Sequence, residues 1–265
     1  MLPVNGLSSS MIPRTIICHY HIFKTAGTSF EHVLKSNFGD RHLSVDGPKS
    51  SSVITQTDLA GIINSNPQIA SLSSHQITLP APVSDQFIAF PVVFVRHPIL
   101  RIRSVFLHEH RDTLAVRESP LDGFDIWFDQ LVAGHPNQLQ ICNLQTNLLC
   151  REANSPPRGT NTDGRPLYDL EAALRNLSEV ACVGRAEHFD EDVVSFIPQL
   201  AAAGVDFDYP SRVTENIGAP DFGLSLRQQL DNMQAALSKP TWDKLHWFNH
   251  QDIALFEAVC ARLER

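Results

Sequence analysis

His21-Ile22-Phe23-Lys24-Thr25-Ala26-Gly27-Thr28-Ser29-Phe30 closes an apolar run, Thr15–Ile22, and opens a helix-like pattern, Gly27–Asn37. A strand that turns through Lys, Gly, Thr and Ser into a helix N-terminus gathers several anion-binding groups at one point. They are converging backbone N–H groups, the positive end of the helix dipole, hydroxyls and an ammonium. The stretch therefore predicts a grip for phosphate or sulfate, and a nucleotide-like anion as ligand.

Outward from this loop, short apolar runs alternate with helical periodicity. Strands are predicted at Ile69–Leu72, Phe87–Val95 and Val180–Val183. Helices are predicted at Thr57–Asn64, with its start capped by Thr57 or Gln56-Thr57, and from Pro98 onward, since Pro is favoured in a first turn. Further helices are read at Leu121–Ala133, Gln138–Cys150, Tyr168–Leu177, Phe189–Ala203, Leu224–Leu237 and Trp242–Leu263. Arg41–Ser52 and Arg151–Arg165 read as loops, and Asp206–Gly223 as irregular chain. This alternation predicts an α/β three-layer sandwich, a central parallel sheet flanked by helices. Met1–Arg14 reads as a flexible tail and residues 15–265 as a single domain. Ligands of such sheets bind at the carboxyl ends of the strands, where the Lys24 loop falls.

The 265 residues carry a net charge of −8, which argues against broad binding to nucleic acid or anionic membrane. Any anion site must then be a local basic focus. Five scattered cysteines without a CxxC pair read as reduced core residues. The start of the chain lacks the pattern of a signal peptide, and no apolar run approaches the roughly 20 residues of a membrane span. A soluble cytoplasmic protein is expected, and the sequon Asn176-Leu177-Ser178 carries little weight.

A second basic group follows the most apolar strand: Phe94-Val95-Arg96-His97-Pro98, then Arg101, Arg103 and Ser104. An Arg fork at a strand end and a Ser two turns into the next helix can hold a second phosphate. The competing reading is surface ion pairing of Arg96, Arg103 and Arg111 with Glu109, Asp112 and Glu118. His19 and His21 share a strand face, but no carboxylate or Cys completes a metal-ligand set, so no metal is expected.

Together the two motifs resemble those of the sulfotransferases. HIFKTAGTSF is similar to their 5′-phosphosulfate loop, written HIPKTAGTS in the carbohydrate-type branch. VRHPILRIRS resembles their 3′-phosphate motif, with Ser104 eight residues after Arg96. Weaker likeness extends to Asn143-Leu144-Gln145-Thr146 and to Val183–Phe189. Phe23 replaces the usual Pro, and His97 stands where Asp or Asn is frequent. The resemblance implies a P-loop NTPase-like sulfotransferase fold. It also implies transfer of a sulfuryl group from 3′-phosphoadenosine 5′-phosphosulfate (PAPS) to a hydroxyl acceptor, a carbohydrate or oligosaccharide by the same resemblance.

On that resemblance Lys24 stabilises the leaving bridge oxygen and the 5′-phosphate, which Thr25, Ala26, Gly27, Thr28 and Ser29 cradle. Arg96 and Ser104 hold the 3′-phosphate. His75, after a predicted strand, resembles the catalytic base of the carbohydrate-type branch, and an unperturbed imidazole accepts a proton near neutral pH. Glu31 is the alternative base. Acceptor contacts are expected from Arg41–Ser52, Arg151–Arg165 and the helix bearing Asn143 and Gln145. Two rival readings stand beside this one. A nucleotide kinase or other NTPase needs GxxxxGK[ST], whereas Lys24 here precedes Gly27. An inactive nucleotide-binding protein of the same fold is the other.

Overall fold

The strands are β1 (Arg14–Tyr20), β2 (His42–Ser44), β3 (Ser71–Ser74), β4 (Phe87–Val95) and β5 (Cys182–Arg185). They form one sheet in the order β2-β3-β1-β4-β5, and every pairing is parallel. The computed structural model describes residues 13–116, 119–134, 136–151, 167–209 and 223–264. β1 is central: Tyr20 lies opposite Ser74 of β3 on one edge and Val93 of β4 on the other. The chain runs from β1 to the β2–β3 side and then returns across β1 to β4. The carboxyl ends of β3, β1 and β4 are therefore neighbours, with strands about 4.8 Å apart.

Alternating side chains send the apolar residues of each strand to both faces. Ile17, Phe90, Val92 and Phe94 pack against α1 (Gly27–Phe38) and α7 (Phe189–Ala202), where Phe30, Val33, Leu34 and Phe196 form the facing stripe. The rings of Phe30 and Phe196 lie 5.1 and 5.6 Å from that of Phe94. Removing such a buried ring costs about 3–5 kcal/mol. On the other face Ile16, Cys18, Val93 and Val95 meet α2 (Gln56–Ser65), α6 (Leu170–Ser178) and α10 (His250–Leu263). A third cluster gathers α3 (Pro98–Glu109), α4 (Phe124–Val132), α8 (Leu226–Ala236) and α9 (Lys239–Phe248) around Ile102, Phe106, Phe128 and Leu245. The three-layer α/β architecture is the one the alternation predicted. All five cysteines are free; Cys18, Cys142 and Cys182 are buried.

Local departures have identifiable causes. Within the expected loop Arg41–Ser52 lies β2, an edge strand of three residues with no apolar run to mark it. β3 and β5 begin two residues later than predicted, because Ile69 and Val180 are buried in the core from the preceding turns. The cap of α2 is Thr55, which exchanges hydrogen bonds with Asp58 in a capping box, in place of Thr57 or Gln56. Asn176 lies within α6 and donates to Leu149 O at 2.7 Å. The irregular segment at 206–223 is described only at its ends, and residues 152–166 of the predicted loop lie outside the described residues.

Two expected long helices each break, and the breaks meet. Gln138–Cys150 becomes a short 3-10 turn followed by α5 (Leu144–Cys150), with Asn143 left-handed at φ 46°. Trp242–Leu263 splits at Asn249 into α9 and α10. Asn143 N–H donates to Asn249 Oδ1 at 3.1 Å, and Asn143 Oδ1 accepts from the N–H groups of Gln251 and Asp252. Asp252 in turn accepts from the N–H groups of Gln145 and Thr146, at 3.0 and 2.7 Å. Each helix start is capped by a side chain of the other.

This junction is fully enclosed, so its donors have no water to fall back on. Asp252→Ala is expected to cost at least about 3 kcal/mol, combining a lost cap with orphaned buried donors. Urea denaturation measures it, and a loss below about 1 kcal/mol would contradict the reciprocal capping.

Candidate active site

The loop after β1 is built from backbone conformations that side chains avoid. Lys24 and Ala26 both sit in the left-handed region, at φ 65° and 68°, on either side of Thr25. Alternation of this kind folds consecutive N–H groups into a concave nest. Thr25 braces it by donating its hydroxyl to Ile22 O at 2.9 Å. Ala26 then caps α1, so the nest opens onto a helix N-terminus. Thr28 is exposed and Ser29 is buried, so the two hydroxyls differ in access to a ligand.

Cationic side chains converge on this nest. Lys24 is half-buried, and its pKa is lowered by burial first and then by the charges of Arg96 and Arg111. His108, exposed on α3, is likewise lowered, chiefly by Lys24. Arg96 Nη1 donates to Lys24 O at 3.4 Å, tying the ends of β4 and β1 together. Phe23 lies beside them, its ring 5.5 Å from Lys24 Nζ and 5.9 Å from the ring of His108. Lys24 under the like charges of Arg96 and Arg111 fits a ligand with more than one negative charge.

Arg96 is set by Gln145 and Glu187. Its N–H donates to Gln145 Oε1, and its carbonyl accepts from Gln145 Nε2, both at 2.8 Å. Its Nε lies 3.6 Å from Glu187, whose side chain is only 4% exposed and also accepts His97 N–H at 3.1 Å. Burial raises the Glu187 carboxyl against the lowering effect of Arg96. Asn143 and Gln145, expected to meet an acceptor, are fully buried and hold the frame instead. Of the anticipated surface pairs, Arg111 faces Asp112 at 3.7 Å, while Glu118 is outside the described residues. Ser104 is half-buried on α3, two turns beyond the strand end. His97 packs its ring on Phe256 at 5.4 Å.

Beyond the end of β3, His75 is 45% exposed at its side chain and bound to Asp46: Nδ1 lies 3.0 Å from Oδ2, and its N–H donates to Oδ1 at 2.9 Å. Ser74 donates its hydroxyl to the same Oδ1. Asp46 was missed in the sequence because it lies 29 residues away in a segment read as loop; only the register of β2 beside β3 brings it there. Gln76 adds two ties to that segment, accepting from Gly47 N–H and donating to Lys49 O.

Glu31, the other candidate base, is engaged. It pairs with Lys35 at 2.7 Å, accepts the Ser44 hydroxyl, and lies 3.9 and 3.8 Å from His21 and His42. Burial pushes its pKa up, but hydrogen bonds from Lys35 and Ser44 prevail and hold it below the ordinary value. Among the described residues no group of three or more His, Cys, Asp or Glu is disposed to hold a metal ion. Among them, too, no helix is long and apolar enough to cross a membrane.

The model of a family described as "Sulfotransferase family" matches residues 10–257. A protein of Archaeoglobus fulgidus, described as "Uncharacterized protein", is 24% identical over 257 residues, spanning 93% of this chain and 96% of its own length.

Two expectations follow from the site's geometry. Ala26→Gly relieves a left-handed alanine, worth about 1–2 kcal/mol, against a smaller entropic cost in the unfolded chain. A net gain of about 0.5–1 kcal/mol in urea denaturation is expected, and a loss would refute the strain. His21 and His97 both have pKa values pushed down to about 4, by burial first and then by His75 and His246 respectively. Both are neutral in the folded protein, while the unfolded chain protonates them near 6.5. Stability is therefore full above about pH 6.5 and falls as pH drops toward 4, by about 2–3 kcal/mol for each residue. His97→Gln should flatten this acid loss in denaturation curves taken across that window; an unchanged slope would contradict the assignment.

Proposed function

This chain belongs to the sulfotransferase family, and on that premise we propose that it sulfates a hydroxyl of a carbohydrate acceptor with His75 as base. PAPS supplies the sulfuryl group and departs as adenosine 3′,5′-bisphosphate. What carries the reading is one juxtaposition: the Lys24 nest on β1 lies between His75 beyond β3 and Arg96 after β4. A proton acceptor and two anion grips thus share one sheet edge. Nothing in that edge calls for a metal in the proposed chemistry, since Lys24 and the nest provide the positive charge.

Lys24, with the N–H groups of residues 25–29, holds the 5′-phosphate side and stabilises negative charge developing on the bridge oxygen. Arg96 and Ser104 hold the 3′-phosphate. Asp46 accepts the Nδ1 proton of His75, which leaves the Nε2 lone pair free to take the acceptor's hydroxyl proton. The acceptor oxygen then forms its bond to sulfur as the bond from sulfur to the bridge oxygen breaks. The half-exposed His75 ring suits this task better than Glu31, whose charge is already held by Lys35 and Ser44. The ties of Asp46 and Gln76 between segment 45–52 and the end of β3 support this segment as a contact for the acceptor.

The test is transfer from sulfur-labelled PAPS to a panel of mono- and oligosaccharides. Lys24→Ala is expected to lower kcat by about 10²–10³-fold. His75→Ala should lower it by about 10²–10⁴-fold, and Asp46→Asn by less. Undiminished transfer in Lys24→Ala and His75→Ala would sink the mechanism. Calorimetry that finds ATP bound in preference to adenosine 3′,5′-bisphosphate would favour the kinase reading instead.

A further inference from the structure

Gly27 opens α1 without a left-handed backbone, so its conformation does not explain why it is glycine. Space does. A Cβ on residue 27 would lie 1.9 Å from His21 Cδ2, 2.2 Å from Nε2 and 2.6 Å from Cγ. These are ring atoms of a buried imidazole, not the end of a flexible chain. The same ring stacks on His75, with centroids 3.9 Å apart and planes 27° apart, and on His19 at 5.1 Å and 19°. His19 is itself fully buried and pinned to Ser73 Oγ at 2.9 Å. One imidazole therefore touches the anion loop on one side and His75 on another, while the strand beneath holds it still.

The charged groups around His21 are few. Glu31 of α1 lies 3.9 Å from Nδ1, His75 stacks on the ring with Asp46 behind it, and His19 adjoins it on β1. Burial and the neighbouring His75 keep His21 neutral at physiological pH. A neutral ring can lie against His75 whether or not His75 has taken up a proton.

We propose that His21 is a positioning residue that couples the donor loop to His75 by filling the space left at Gly27 and stacking on the base. Ordering of the loop around the donor thereby sets the ring of His75. The catalytic consequence rests on the reading of His75 as base; the coupling itself does not.

The test is a double-substitution cycle with two readouts that need no acceptor. One is the Cε1–H resonance of His75 in a proton–carbon correlation spectrum, assigned with His75→Gln. The other is calorimetric binding of adenosine 3′,5′-bisphosphate. Gly27→Ala is expected to displace the His75 resonance in the ligand-free protein and to weaken binding by about tenfold, as overpacking does. In the His21→Ala background the same change has room, so Gly27→Ala should leave both readouts where His21→Ala alone puts them. A His75 resonance unmoved by Gly27→Ala, or effects that simply add, would overturn the proposal. Should Gly27→Ala alone fail to fold, the double variant decides: folding and binding like His21→Ala supports it, and failure overturns it. If His75 is not the base, sulfuryl transfer survives His75→Ala while these two readouts stand unchanged, so the two failures are distinguishable.

Discussion

β1 is hydrogen-bonded along both edges by parallel strands, and the site depends on that flanking. A parallel neighbour ends at the same edge of the sheet, so β3, β1 and β4 deliver their next residues side by side. His75, the Lys24 nest and Arg96 follow neighbouring strands of the sheet, yet they are separated by tens of residues in sequence. Proximity here is a product of topology, with the apolar faces of the strands providing the force that holds it. The loops themselves then need only local devices: a nest, a hydroxyl brace and a carboxylate beside an imidazole.

Electrostatics gives the site its second character. The whole chain is acidic, yet Arg96 and Arg111 act on Lys24 as like charges. Burial first, and then this repulsion, make Lys24 bind its proton less tightly than a free lysine. A doubly anionic ligand reverses the sign of the interaction. Glu187 does part of that work permanently beside Arg96, and its burial keeps it from competing as an open anion at the mouth of the site.

The loop after β1, the arginine at the end of β4 and the sheet were legible because each leaves a local mark: an apolar run, a turn chemistry, a residue type at a fixed spacing. Phe87–Val95 matched its strand residue for residue. What was not legible was held by long-range partners. β2 has three residues and no apolar signature, and without it Asp46 has no reason to stand beside His75. The helix breaks at Asn143 and Asn249 look like ordinary polar positions in two amphipathic segments; only their meeting explains either. Asn143 and Gln145 were read as marking a helix that meets the acceptor, but their buried amides serve the frame, and nothing in a linear pattern separates that role from ligand contact.

The reciprocal caps carry a consequence for the order in which the protein acquires its site. Gln145, which clamps both polar groups of the Arg96 backbone, has its own N–H received by Asp252, 107 residues further on. A nascent chain that has already paired β1, β3 and β4 still lacks the partner that ends this relay. Such distant closures are entropically late events. The anion nest, made from neighbours in sequence, can form early on the ribosome, whereas Arg96 is locked only after α10 docks. Half-made molecules thus have the loop after β1 in shape while Arg96 is not yet held in place.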